Sequence, residues 1–217
     1  MDVGIIGGTG PAGRGLGLRL AAAGMSVAIG SRDAARAASV VEEIAAVWTG
    51  RVTGTLTGVG NDEAANAKLA VLATPWEGAV QTVSQVAEPL AGKVLVSMAS
   101  ALVRERGEML ALLHPRGSVA AAVKAALPRT MVAAAFHHLP AREMADLDSG
   151  LIADVLVCAD DPEATAETMS LVERIEGLRP LDAGSLSQAA AIESFTAVCV
   201  TLNMRHRAHS TLKLAGI

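Results

Sequence analysis

The stretch "VGIIGGTGPAGRGLGLRLAAAG", residues 3–24, constrains the fold more than any other part of the chain. Its opening "VGIIG" (3–7) is a continuous apolar run that stops at glycines, as a strand buried on both faces does. Helical spacing begins after Pro11, which suits a first turn, and Gly24 is placed to stop the helix. "MSVAIG" (25–30) then reads as a second strand and closes a βαβ unit. Inside that unit Gly8-Thr9-Gly10-Pro11-Ala12-Gly13 fits G-x-G-x-x-G. The first glycine permits a tight turn, the second lets a pyrophosphate approach the backbone, and the third lets helix and strand pack closely. Unpaired N–H groups at the start of the helix face the phosphates. A bare match is weak, but one set between a buried strand and a helix points to a dinucleotide.

The rest of the chain repeats the alternation. "DAARAASVVEEIAAVW" (33–48) is a helix with Asp33 as N-cap, and "KLAVLAT" (68–74) and "KVLVSMA" (93–99) are core strands flanking a helical "WEGAVQTVSQVAE". Residues 100–117 are charged and less regular, and "GSVAAAVKAAL" returns to helix. "TMVAAAF" (130–136) is a strand ending at "HHLPA"; "DVLVCAD" (154–160), a helix, a strand "LRPLDA" and a closing helix from about 187 to 209 complete the pattern. This is an α/β chain, a Rossmann-type doubly wound and mainly parallel sheet with a small C-terminal α/β extension. The seam is expected near residue 150, with a nucleotide-binding domain over 1–150 and a small lobe over 151–217 packed closely on it.

Composition removes whole classes of chemistry. A formal net charge of −4 over 217 residues speaks against a general nucleic-acid binder. Cys158 and Cys199 show no metal-ligand spacing and read as small buried apolar residues. No apolar run is long enough to cross a bilayer, and no basic region precedes the first one, so a soluble cytoplasmic protein is expected. With no tyrosine, a Tyr–Lys proton relay is impossible. The four lysines (68, 93, 124 and 213) occupy no obvious catalytic loop, and no G-x-S-x-G presents a serine. His137 and His138 are adjacent on an extended segment and point opposite ways, so no metal site is expected; a site through Asp146 or Asp148 is the alternative. Hydride transfer between two flat rings needs none of this apparatus, only faces held roughly 3–3.5 Å apart at the reacting carbons.

The end of the second strand indicates which dinucleotide. An NAD site carries an acid there for the ribose diol, whereas this strand runs out as Gly30-Ser31-Arg32 with Arg36 one turn on. A hydroxyl and two guanidinium groups suit a 2′-phosphate, which favours NADP. In the competing reading both arginines are solvated and Asp33 serves the ribose, but Asp33 sits more naturally as a helix cap.

With these residues in view, the chain resembles the NADP-dependent oxidoreductases of the deazaflavin coenzyme, factor 420. The resemblance covers nearly the whole length, through "GGTGPAGRGLGLRLA", "GSRD", "VLATPWEGAV", "FHHLPA", "VLVCADDPEA" and "IEGLRPLDAG" in order. It implies hydride exchange between NADP(H) and the deazaflavin, a Rossmann domain with a small extension, and a homodimer. It implies that Gly8, Thr9, Gly10, Pro11, Ala12 and Gly13 hold the pyrophosphate, and that Ser31, Arg32 and Arg36 hold the 2′-phosphate. Thr74, Pro75, Met98 and Ala99 would meet the nicotinamide half. His137, Leu139, Pro140, Ser194 and Thr196 would hold the deazaflavin, with His137 the one residue assigned a chemical role. Trp76 has packing under its own helix as an alternative. One departure is Ala190, where the family often carries an arginine. Arg205, His206, Arg207, His209 and Lys213 offer an alternative anion site, although cations ending a helix are commonplace. The second reading is an NADPH-dependent reductase of another carbonyl, imine or flavin-like substrate, with His137 as proton donor.

Overall fold

The computed structural model describes residues 1–217. Its elements run β1 (Val3–Ile6), α1 (Pro11–Ala22), β2 (Ser26–Ser31), α2 (Ala34–Val47), β3 (Thr55–Gly60), α3 (Asn61–Ala64), β4 (Leu69–Leu72), α4 (Trp76–Gln85), α5 (Ala87–Leu90) and β5 (Val94–Ser97). They continue with β6 (Leu102–Glu105), β7 (Glu108–Ala111), α6 (Val119–Ala126), β8 (Met131–Ala134), α7 (Ala141–Met144), β9 (Ala153–Ala159), α8 (Pro162–Glu173), β10 (Leu178–Asp182) and α9 (Ala189–His206). A single 3-10 turn, Leu186–Gln188, leads into α9.

Eight strands form one sheet in the order β10-β9-β8-β5-β4-β1-β2-β3. All neighbours are parallel except β8 and β9. Successive side chains of a strand face opposite ways, and both sets are apolar here. Ile5, Val71, Val96 and Ala133 pack with Leu16 and Leu20 of α1 and Leu171 of α8. Ile6, Leu72, Leu95 and Ala134 pack on the other face with Val83 of α4, Val123 of α6 and Ile192 of α9. Covering both faces is what allows continuous apolar strands and what places their carboxyl ends at an open crevice. Residues 151–217 contribute β9 and β10 to this same sheet, Ala134 pairing with Cys158, so position 150 falls between α7 and β9 within one layer.

Two elements carry little sequence signal. Strand β3, "TLTGVG", is a half-buried edge whose Gly58 lies so close to α2 that a Cβ would come within 2.3 Å of the Ala37 carbonyl carbon. Strands β6 and β7 form a hairpin where the sequence reads as irregular; its turn residues Arg106 and Gly107 both have positive φ, +47° and +84°. Two-residue hairpin turns demand that conformation, and an arginine there gives no warning of it.

Candidate functional site

The site begins with strand register. Ile6 pairs with Leu72, Leu72 with Ser97, and Ser97 with Ala134, so β1, β4, β5 and β8 end level. The ladder runs one residue further: the Ala73 amide donates to the Ile6 carbonyl (2.9 Å), Met98 to Leu72 (3.1 Å) and Ala135 to Ser97 (3.1 Å). The sheet reverses its winding between β1 and β4, where ligands of open α/β sheets bind.

The glycine turn closes one end of that row. Gly7 has φ +68°, and its amide donates to Asn61 Oδ1 at 2.9 Å. The Gly8 amide reaches the Gly30 carbonyl at 2.9 Å, fastening the turn to β2. A Cβ on Gly13 would stand 2.6 Å from the Gly8 Cα, whereas one on Gly10 would meet nothing within 4 Å. Gly13 is therefore required by packing, and Gly10 leaves open space where a ligand can approach. No side chain caps α1, and the first amide bonded back into the chain is that of Arg14, to the Gly10 carbonyl at 2.9 Å. The preceding amides remain available to an anion, as phosphate binding at a helix start requires. Arg14 braces the turn, its Nε on the Thr9 carbonyl (2.8 Å) and its Nη1 on Glu43 (2.7 Å).

Beyond β2, Asp33 is committed to the backbone: its carboxylate accepts from the amides of Ala35 (3.0 Å) and Arg36 (3.3 Å). Ser31 is buried, and its Oγ accepts from the Asp33 amide at 3.1 Å. Arg32 and Arg36 are exposed, and neither side chain is engaged by a carboxylate or carbonyl. The residues present fit a 2′-phosphate, and the acid that would otherwise serve the ribose is spent on α2.

The other end of the row collects polar atoms that are buried and have no partner: Thr74 Oγ1, Trp76 Nε1, Ser97 Oγ, Ser100 Oγ and both ring nitrogens of His137. All follow or end β4, β5 or β8. A buried polar group without a partner costs about 1–3 kcal/mol, so such clustering marks a place kept for something other than packing. Trp76 is half-buried against the core, which matches its structural alternative. Met98 and Ala99 turn into the core, so they offer a ligand chiefly backbone. The sequence pointed to neither Ser97 nor Ser100.

Phe136 precedes His137, is 1% exposed, and has φ +66°, a left-handed conformation that is strained for a bulky residue. That turn swings His137 out of the β8 direction. Burial, with a lesser contribution from His138, lowers the His137 pKa to about 3, so its ring is neutral across the physiological range. Contrary to the extended segment expected, His137 and His138 lie in a turn after β8 and line the same cleft, with His138 Nε2 2.8 Å from the Asp154 carbonyl oxygen.

His137, Leu139, Pro140 and Thr196 line one cleft of about 380 Å³ between the β8–α7 connection and α9. Ser194 does not join them; it lies in a separate groove with Met109 and Leu110 of β7. The α9 wall is held by Glu193, a buried carboxylate that accepts from the amides of Val119 (2.8 Å) and Ala120 (3.0 Å) at the start of α6. Burial pushes its pKa up to about 7 against the lowering effect of those two bonds. Ala190 lines a third cleft, with Arg116 and Lys124. The tail does not assemble into the alternative anion site. Lys213 and Arg179 both bind the Asp154 carboxylate (2.9 and 2.7 Å), and Arg205 pairs with Glu108.

Strand order and glycine turn together define the class, a Rossmann-type dinucleotide-binding protein. Comparison with known proteins narrows it. The family described as NADP oxidoreductase coenzyme F420-dependent matches residues 2–101. An F420-dependent NADP reductase of Methanocaldococcus jannaschii is 33% identical over 215 residues, covering 97% of this chain and 96% of the relative. One from Methanothermobacter marburgensis is 34% identical over 222 residues, covering 100% and 97%. A crystal structure of a protein from Arthrobacter sp. FB24 superposes with a TM-score of 0.81 at 26% identity and covers 99% of both chains. The chain belongs to the coenzyme F420-dependent NADP oxidoreductase family.

Proposed function

We propose that the protein exchanges hydride between NADP(H) and the deazaflavin coenzyme factor 420. The observation that carries the reading is one row of level strand ends with a phosphate cradle at one end and, at the other, the unpartnered buried hydroxyls of Thr74, Ser97 and Ser100 and the His137 ring, which opens on a cleft. NADPH supplies a hydride; the oxidised deazaflavin accepts it with one proton from solvent, giving NADP+ and the dihydro coenzyme, and the reverse runs equally. The turn residues Gly8, Thr9, Gly10, Pro11, Ala12 and Gly13 hold the pyrophosphate through backbone amides. Ser31, Arg32 and Arg36 hold the 2′-phosphate, and Thr74, Pro75, Met98 and Ala99 border the nicotinamide. His137 positions the deazaflavin; burial keeps its ring neutral, with one ring nitrogen donating and the other accepting a hydrogen bond. A neutral ring is a weak acid, which counts against the carbonyl or imine alternative with His137 as proton donor.

The decisive assay follows the deazaflavin absorbance with NADPH present; absence of any coenzyme reduction or oxidation sinks the reading. The likeness to a pyrroline-5-carboxylate reductase (TM-score 0.59, 15% identity) and an imine reductase (0.61, 17%) concerns the fold alone.

We also read the chain as a homodimer. Phe195, Val198 and Leu202 form an exposed apolar stripe along α9, beside Leu110 of β7. Leu112 and the 95% exposed Leu113 follow that strand. Single charged substitutions at Val198 should yield monomer by sedimentation; an already monomeric wild type ends this part of the reading. No helix is long and apolar enough to cross a membrane, and a cytoplasmic site of action fits both coenzymes.

A further inference from the structure

We propose that Arg142 binds the anionic side chain of the deazaflavin coenzyme. The inference rests on the hydride-exchange reading and adds to it the determinant for the charged part of the substrate. Its ground is the charge of the His137 cleft. Arg142 lines it together with His209, Asn203 and Thr196, and no aspartate or glutamate does. In a chain whose formal net charge is −4, a cleft with one guanidinium and no carboxylate selects an anion.

Arg142 is exposed and unengaged, yet the element that carries it is fixed. Helix α7 is gripped by the Arg19 guanidinium, whose Nη2 donates to the Glu143 carbonyl at 2.7 Å and whose Nε donates to that of Met144 at 3.2 Å. Met144 is buried, and Gly15 of α1 packs so tightly beneath it that a Cβ would lie 2.7 Å from the Met144 Cβ. A guanidinium free of internal partners on a rigid base is set for bidentate binding of phosphodiester or carboxylate oxygens.

The cleft beside Ala190 is a poorer place for that anion. Its Lys124 is occupied by the Thr130 carbonyl (2.9 Å) and Asp161 (3.5 Å), and Asp160 adds a negative charge to the lining. His137 is absent from it.

The test is a binding titration, by deazaflavin fluorescence, of wild type, Arg142→Ala, Arg142→Lys and Arg116→Ala. Each is titrated with the full coenzyme and with the uncharged deazaflavin riboside that lacks the anionic side chain. Arg142→Ala should bind the coenzyme roughly tenfold more weakly and the riboside unchanged, with Arg142→Lys recovering part of the loss. Added salt should weaken coenzyme binding more in wild type than in Arg142→Ala. Equal weakening for both ligands, or none for the coenzyme, overturns the proposal, and a selective loss in Arg116→Ala moves the anion to the Ala190 cleft. A wild type that binds neither deazaflavin overturns the hydride-exchange reading itself. NADP+ affinity and Tm, unchanged in Arg142→Ala, verify that the variant is folded.

Discussion

The two ends of the strand row are built on opposite principles. At the glycine turn the polar groups belong to the backbone, and the chain's own requirements shape the cradle: Gly8 is tied to Gly30, Gly13 abuts Gly8, and Arg14 clasps Thr9. At the ends of β4, β5 and β8 the polar groups are side chains from separate segments, left buried without partners and approached through the strained Phe136. The first site is made by what is absent, namely Cβ atoms; the second by what tertiary folding brings together. A backbone site tolerates few substitutions but discriminates little, so the choice of NADP and the second substrate must come from side chains elsewhere.

The largest expected effect breaks the first site from within. Gly13→Val places a side chain against the Gly8 Cα at a distance no real Cβ shows, so the turn must move. Overpacking of this kind costs about 1–3 kcal/mol or more, and NADPH binding should fall at least a hundredfold along with Tm. Gly10→Ala is the counterpart: its Cβ enters open space, so Tm should hold while NADPH binding drops. If both variants lose stability equally, the division between a packing glycine and a ligand-approach glycine is wrong.

A smaller effect tests discrimination. Arg32→Ala removes an unengaged guanidinium, and a charge-assisted bond contributes about 1.5–3 kcal/mol. NADPH should therefore bind roughly 10- to 100-fold more weakly while NADH binding stays as it was, read by titration with each nucleotide. Equal loss for both would remove the 2′-phosphate from this position.

The same contrast explains what was legible. The βαβ unit and the Asp33 cap, like most other strands and helices of the sheet, are written in contiguous residues, whose periodicity and glycine spacing carry the information. The pairing of Ala134 with Cys158 is not, because an antiparallel strand following a crossover looks locally like a parallel one. Thr196 and Ser194 are two residues apart on one helix, so its period already separates their faces, but only packing decides which cleft each face lines. Ser97 and Ser100 read as an ordinary strand end until their hydroxyls are found buried without partners. Arg142 reads as one surface charge among many until the acid-free lining around it is known.

The smallest expected effect sharpens the second site through the residue that sets its wall. Glu193 joins α9 to α6 through two backbone amides, and burial raises its pKa from the ordinary 4.5 to about 7. The folded state thus holds this proton more tightly than the unfolded chain does. Stability contributed by Glu193 is fully present below about pH 4.5, falls as pH rises toward 7, and changes no further above it. Glu193→Gln cannot titrate, so its urea midpoint should vary less between pH 4.5 and 7.5 than that of wild type; an unchanged slope would place the titration elsewhere. Because the amide nitrogen of glutamine faces a backbone N–H, one of the two bonds is lost and α9 is held less firmly. That helix lines the His137 cleft but not the glycine turn. The KM for the deazaflavin should therefore rise a few-fold while the KM for NADPH stays constant. A purely structural weakening would move both KM values together, and that outcome would detach Glu193 from the cleft.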